Sequence, residues 1–158
     1  MKYVSVYNSP LGQIYLAERD GAITDIGFGA PPEQEEFQLV DTSILAKMRT
    51  QLQEYFAHER TEFTVPLAPE GTAFQKSVWN ALQKIPYGET RSYGEIAQAI
   101  GNPAACRAVG LANHNNPIAI VIPCHRVIGA NGALTGYASG LAIKRQLLEL
   151  EGNVPGFR

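Results

Sequence analysis

Cysteine is scarce in this sequence: 2 residues in 158, Cys106 and Cys124. Two thiols make no disulfide framework, so the fold has to rest on buried apolar surface, and a reducing, cytoplasmic setting is expected. Long hydrophobic runs are missing as well. The run Ile118-Ala119-Ile120-Val121-Ile122 falls well short of the ~20 residues that cross a bilayer. Met1-Lys2-Tyr3-Val4-Ser5 lacks the apolar core of a signal peptide. No membrane partner is expected. There are no internal repeats, no low-complexity tracts and no phosphate-cradling or dinucleotide-binding loop, so no organic cofactor is expected. What remains is ordinary globular composition, 45% hydrophobic with net charge −2, and enough length for one domain or two small ones.

The charge is unevenly spread. Residues 1–70 hold five Lys or Arg against eleven Asp or Glu, a net −6, whereas residues 71–158 hold eight against four, a net +4. A positive second half suits a polyanionic partner for that half alone; a chance imbalance is the plainer alternative. The residue pattern changes at the same place. Tyr3–Tyr7, Gln13–Ala17 and Ala22–Phe28 read as three strands, joined by Ser9-Pro10-Leu11-Gly12 and by an Asp20-Gly21 turn. Gly29–Glu36 is a polar loop. Leu45, Met48, Leu52, Tyr55 and Phe56 then mark a helix from about 41 to 58. Phe63, Val65 and Leu67 alternate as a short strand would, and a domain boundary is placed at 70/71.

The second half is helical and well punctuated. Thr72-Ala73-Phe74-Gln75 is a capping box opening a helix whose stripe is Phe74, Val78, Leu82 and Ile85. Ser92-Tyr93-Gly94-Glu95 opens a second, short helix closed by Gly101. Pro103 is expected at the first position of a third helix, with Asn102 as its cap, running to about Asn113. Two short helices across a tight turn make a helix-turn-helix. A last helix, from about 141 to 151, should bury Leu141, Leu147, Leu148 and Leu150. The fold class is therefore α+β: residues 1–70 form a scaffold with a small antiparallel three-stranded sheet and a helix, and residues 71–158 form a mainly helical, winged-helix-like helix-turn-helix domain.

The chemistry converges on Pro123-Cys124-His125-Arg126-Val127, at the end of the apolar run. A thiol needs a base and an electropositive setting to become a nucleophile near pH 7. His125 offers the base and Arg126 a positive charge. On an extended segment adjacent side chains point opposite ways, so a bridging water is the alternative to direct contact. The bland alternative is an inert buried thiol beside a surface histidine. Cys106 reads as packing.

Pro123–Val127 resembles the acceptor-cysteine motif of the O6-alkylguanine-DNA alkyltransferases. So do Gly101–Gly110 (GNPAACRAVG), Gly136–Leu141 (GYASGL) and Leu147–Gly152 (LLELEG). The resemblance is tight over about residues 71–152. It implies that Cys124 takes the alkyl group from O6 of guanine, giving S-alkylcysteine, once per molecule. It implies that His125 is the base acting through a water, that Glu151 orients it, and that Asn116 holds the turn around the site. Tyr93 would assist rotation of the target phosphate and supply a proton. Val127, Tyr137, Ala138 and Ser139 would wall the base pocket. Ser92, Tyr93, Ala105, Arg107, Gly110 and His114 would lie on the DNA, with Arg107 filling the space left by the flipped nucleotide. The implied partner is double-stranded DNA with an alkylated guanine, held through the minor groove with little sequence preference by a monomer. The residues agree on that last point, because Pro103–Ala112 is poor in the Asn, Gln and Arg that read major-groove edges. Flipping follows from geometry, since a stacked base cannot meet a sulfur in line.

This sequence departs from some relatives. It has no cysteine before Cys106 and only His58 among the early histidines, so a zinc site in the first domain is not expected. Ala138 replaces a serine and His114 an arginine. Two other functions remain open on the residues alone: a cysteine hydrolase using Cys124, His125 and Glu151, and a DNA-binding damage sensor without catalysis.

Overall fold

The computed structural model describes residues 1–33 and 36–152. The chain divides into two compact units, Met1–Glu70 and Gly71–Arg158.

In the first unit, strands β1 (Lys2–Ser9), β2 (Gly12–Arg19) and β3 (Ala22–Phe28) form an antiparallel meander. The β2–β3 turn places Asp20 at φ 53° and Gly21 at φ 81°. Both residues are left-handed, which matches the twist of the flanking strands and explains the Asp-Gly step. The sheet is larger than expected. A fourth strand, β4 (Phe37–Leu39), pairs parallel to β1, giving the order β3-β2-β1-β4. Three residues are too few to show a period of two, so this strand left no pattern to read. The expected strand around Val65 is a single bridge, Ile23 to Leu67. Pro66 lends its carbonyl to the Ile23 N–H but has no N–H with which to extend the ladder.

Helix α1 (Ser43–Phe56) starts at Thr42, whose side chain accepts the Leu45 N–H, and buries Leu45, Met48, Leu52, Tyr55 and Phe56. Against the other side of that core lie Ile14, Leu16, Ile23 and Ile26.

The second unit opens with α2 (Ala73–Leu82), and the capping box between Thr72 and Gln75 is formed. Val78, Leu82 and Ile85 are buried as the stripe requires; Trp79 is buried too, and its indole N–H donates to the Ala112 carbonyl at 2.8 Å. That bond fastens α2 to α4 (Cys106–His114). Between them come strand β5 (Arg91–Ser92) and α3 (Tyr93–Ala99), with Ser92 and Glu95 completing a second capping box. α3 and α4 are the helix-turn-helix. α4 begins three residues later than expected. Residues 103–105 form a turn, with the Ala105 N–H on the Asn102 carbonyl, so Pro103 precedes the helix and Ala105 is its uncapped start.

After α4 the chain makes tight turns rather than an extended run, then one 3-10 turn, Cys124–Arg126. Strand β6 (Val127–Ile128) follows and pairs parallel with β5. The last helix is α5 (Leu141–Leu150). It buries Leu147 and Leu148, but Leu141 is exposed and Leu150 half-buried; the place expected of them goes to Lys144. Among the described residues no helix is long and apolar enough to cross a membrane.

Candidate active site

Cys124 sits where a side-chain hub ends a strained turn. Asn116 accepts the Ile118 N–H on Oδ1 at 3.0 Å and donates from Nδ2 to the carbonyls of Ile118 (3.2 Å) and Ile122 (2.8 Å). These bonds reinforce the one backbone bond across the loop, from the Ile122 N–H to the Ile118 carbonyl at 3.1 Å. Inside it, Ile120 has φ 72°, and the Val121 N–H reaches back to the Ala119 carbonyl at 2.8 Å. A γ-turn with positive φ on a β-branched residue costs of order 1–3 kcal/mol and persists only when its surroundings over-determine it. Here burial of Ile118, Ile120 and Ile122 and the Asn116 bonds do so. Pro123, at φ −80° and ψ 64°, is a second such turn of the ordinary hand, with the Cys124 N–H on the Ile122 carbonyl at 2.7 Å. Asn113, buried on α4, donates to the Cys124 carbonyl at 3.3 Å.

Cys124 is 5% exposed. Burial pushes it up; the Asn116 amide, the Lys144 ammonium and the Tyr137 hydroxyl pull against that without reversing it. The resting sulfur is therefore a protonated thiol near neutral pH and has to lose its proton to react. Tyr137's hydroxyl is buried without a hydrogen bond of good geometry. Burial first, then the neighbouring sulfur, raises it well above its ordinary value, so it stays a neutral donor.

His125 is fully buried. Its Nε2 lies 2.8 Å from Glu151 Oε2. Glu151 in turn accepts from Arg126 Nε on Oε1 (2.8 Å) and from Nη2 on Oε2 (2.9 Å), while Arg126 Nη1 donates to the Ile85 carbonyl at 2.7 Å. Burial pushes the Glu151 carboxyl up, but its bonds to His125 and Arg126 outweigh that and hold it far below the usual range. Burial lowers the imidazole, with Arg126 and Lys144 adding to the effect and Glu151 opposing it. The ring is thus neutral near pH 7. A carboxylate can only accept, so Nε2 carries the hydrogen and Nδ1 keeps the lone pair. Nδ1 has no partner among the described residues. The arrangement is a buried base with its tautomer set by a carboxylate, one residue from a thiol.

Arg126 is not the cation at the sulfur; its guanidinium is committed to Glu151 and Ile85. That part falls to Lys144, which lies outside the four motifs. Its side chain is fully buried, and Nζ donates to the carbonyls of Thr135 (2.6 Å) and Gly136 (3.4 Å). Burial lowers its pKa to about 8, against the pull of Cys124. Lys144 precedes Leu147 and Leu148 by three and four residues. A lysine on an apolar stripe is the signal that would have found it. Asn113 likewise sits four residues after buried Val109.

Residues 73–153 match the DNA-binding domain of the 6-O-methylguanine DNA methyltransferases, and residues 2–69 match the ribonuclease-like domain of the same proteins. The methylated-DNA–protein-cysteine methyltransferase of Methanosarcina acetivorans is 56% identical over 154 residues, covering 96% of this chain and 99% of that protein. The constitutive enzyme of Bacillus subtilis is 48% identical over 158 residues, 96% of each. The chain belongs to the methylated-DNA–protein-cysteine methyltransferase family. Among solved structures, Mycobacterium tuberculosis OGT in complex with DNA superposes with a TM-score of 0.89 at 51% identity, covering 94% of this chain and 92% of that one.

The residues that the alkyltransferase resemblance pointed to fall into two groups. Cys124, His125, Glu151, Asn116 and Tyr137 come together around the sulfur and its base, with Val127 fully buried behind them. Ala138 is exposed and Ser139 half-buried in the loop that follows β6. The second group lies on the helix-turn-helix. Ser92 caps α3. Gly110 of α4 faces the Tyr93 ring of α3; a Cβ there would stand 3.9 Å from the ring, an ordinary packing contact. Tyr93's hydroxyl donates to the Thr135 carbonyl (3.3 Å) and accepts from Thr135 Oγ1 (3.0 Å), which ties α3 to the same loop that Lys144 holds. Ala105 is half-buried; Arg107 and His114 are exposed near either end of α4. Among the described residues no three His, Cys, Asp or Glu are grouped to hold a metal ion.

Proposed function

We infer that this chain is a DNA repair protein that takes the alkyl group from O6 of guanine in duplex DNA onto Cys124, once per molecule, and that it works as a monomer in the cytoplasm. The observation that carries the reading is His125. It is sealed from solvent, its Nε2 hydrogen is committed to Glu151, and its Nδ1 lone pair is left unpaired among the described residues, one residue along the chain from a thiol that burial keeps protonated.

The reaction then balances without a cofactor. The Cys124 proton passes to His125 Nδ1, directly or through a water. Sγ forms a bond to the alkyl carbon as the carbon–O6 bond breaks, and that electron pair stays on guanine, whose ring takes a proton in return. Tyr93 is the donor, its hydroxyl exchanging Thr135 for the base. Glu151 neutralises the imidazolium and Lys144 the nascent thiolate. The sulfur is too buried for a stacked base to meet, so the nucleotide has to leave the duplex, at about a few kcal/mol of unstacking. The thioether product has no leaving group that these residues could activate, which makes the protein its own stoichiometric acceptor.

The test is to incubate the protein with a duplex containing O6-methylguanine and weigh it. One added methyl, located on Cys124 and lost in Cys124→Ser, is the expected result. Repeated turnover of an ester, or binding without transfer, would overturn the reading.

A further inference from the structure

The outward face of α4 carries a side chain that the chemistry above leaves unused. α4 turns Val109, Ala112 and Asn113 inward. Arg107, Ala108, Leu111 and His114 remain outside. Leu111 is 63% exposed, more than any other large apolar side chain described in the second unit. Arg107 and Leu111 are four residues apart, hence neighbours on the helix surface. They lie about 6 Å apart along its axis, close to two base-pair rises of B-form DNA at roughly 3.4 Å each. The helix holds no carboxylate, and Arg107 makes no ion pair among the described residues. A single exposed leucine is ordinary on a surface that meets water. On a face that meets a polyanion through a cation one turn away, it has a definite use. Minor-groove proteins press leucine and similar side chains against base steps, partly unstacking them and easing the bend.

We propose that Leu111 is an apolar wedge in the minor groove, pressing on the groove floor about two base steps from Arg107 and lowering the cost of freeing the target nucleotide. This rests on the repair function inferred above. Leu111 neutralises no phosphate, so its contribution releases no counterions and does not depend on salt. Arg107 brings a positive charge into the groove and so displaces a counterion, and that difference separates the two residues experimentally.

The experiment uses the full chain with Leu111→Ala, Leu111→Met and Arg107→Ala. Binding to a duplex bearing O6-methylguanine is measured across a salt series. A second duplex carries 2-aminopurine two base pairs from the lesion, so that local unstacking is read as fluorescence. Methyl transfer from O6-methylguanine as the free base is the readout that needs no DNA. Leu111→Ala should bind about tenfold more weakly at every salt concentration, as loss of most of a leucine's apolar contact implies. Its salt slope should match that of the wild type, its 2-aminopurine signal should be lost, and its free-base transfer should be unchanged. Leu111→Met should regain most of the affinity, and Arg107→Ala should lower the slope by about one. Unchanged affinity and fluorescence in Leu111→Ala would overturn the wedge and leave the repair function standing. So would a slope change like that of Arg107→Ala, or a loss of free-base transfer. Wild-type protein that takes no methyl group from the lesion duplex would overturn both.

Discussion

Glu151→Gln separates a buried charge network from a decorative one. The carboxylate takes hydrogen bonds from His125 Nε2 (2.8 Å), Arg126 Nε (2.8 Å) and Arg126 Nη2 (2.9 Å), and its side chain is fully buried. The amide keeps the shape and removes the charge. Arg126 stays behind as a buried cation with no counter-charge, left with the Ile85 carbonyl on Nη1, the Tyr87 ring 5.8 Å from its guanidinium carbon, and at most the one amide oxygen. An exposed ion pair would contribute about 0–1 kcal/mol, whereas breaking a buried one costs about 3–5 kcal/mol. With a urea slope near 2 kcal/mol/M, a loss of about 4 kcal/mol lowers the midpoint by about 2 M. Adding Arg126→Met removes the stranded charge, so the double variant should cost less than the two single changes summed. The pH dependence gives an independent reading. The Glu151 carboxyl is held low in the fold, so its contribution is complete above its ordinary value of 4.5 and drains away as pH falls through the folded value. The gap between wild type and Glu151→Gln should therefore narrow below pH 4.5. Under folding conditions transfer should slow by about 10²-fold or more, since the imidazolium loses its counter-charge. A midpoint shift worth less than about 1 kcal/mol, together with unchanged transfer, would refute the reasoning.

Three further outcomes are expected. Asn116→Ala strands the Ile118 N–H and takes the side-chain donor from the Ile118 and Ile122 carbonyls, which keep the N–H groups of Ile122 and Cys124; at about 1–3 kcal/mol for the one group left buried and unpaired, thermal melting should drop, and transfer should slow even at temperatures where the variant is folded. The lowered imidazole of His125 stays neutral below its ordinary 6.5, so the acid limb of the transfer rate should lie below that pH, and a limb at or above 6.5 would contradict a buried neutral base. Lys144 is held at about 8 against an ordinary 10.5; between those values the unfolded chain binds more protons, so wild-type stability should rise with pH relative to Lys144→Met, measured as the difference between their denaturation midpoints.

The elements that were legible in the sequence are those that declare themselves locally. Thr72 with Gln75 and Ser92 with Glu95 each satisfy two orphan N–H groups within four residues, and both boxes are formed. Asp20-Gly21 names its own turn type. The failures share the opposite property. β4 exists because the edge of β1 accepts it, and α4 starts late because Asn102 and Ala105 close a turn first. Neither fact is carried by the residues of the element itself.

The active site divides along the same line, and the turn at Cys124 shows why. Read as an extended run, Ile118–Cys124 makes Cys124 and His125 neighbours that face apart, with Arg126 returning to the sulfur's side as its cation. Folded, the segment is held by one asparagine amide across a left-handed isoleucine, and the motif continues as a 3-10 turn. Adjacent side chains on such a turn fan out by about a third of a revolution each. His125 and Arg126 then both reach Glu151, 26 and 25 residues on, and Arg126 is spent there. The sulfur's cation has to come from another element, and α5 supplies it through Lys144. Proximity in sequence thus put the thiol beside an imidazole that the fold buries next to it, and beside a guanidinium that the same turn carries off to Glu151; the cation that acts on the sulfur, on α5, is 20 residues away and outside any local pattern.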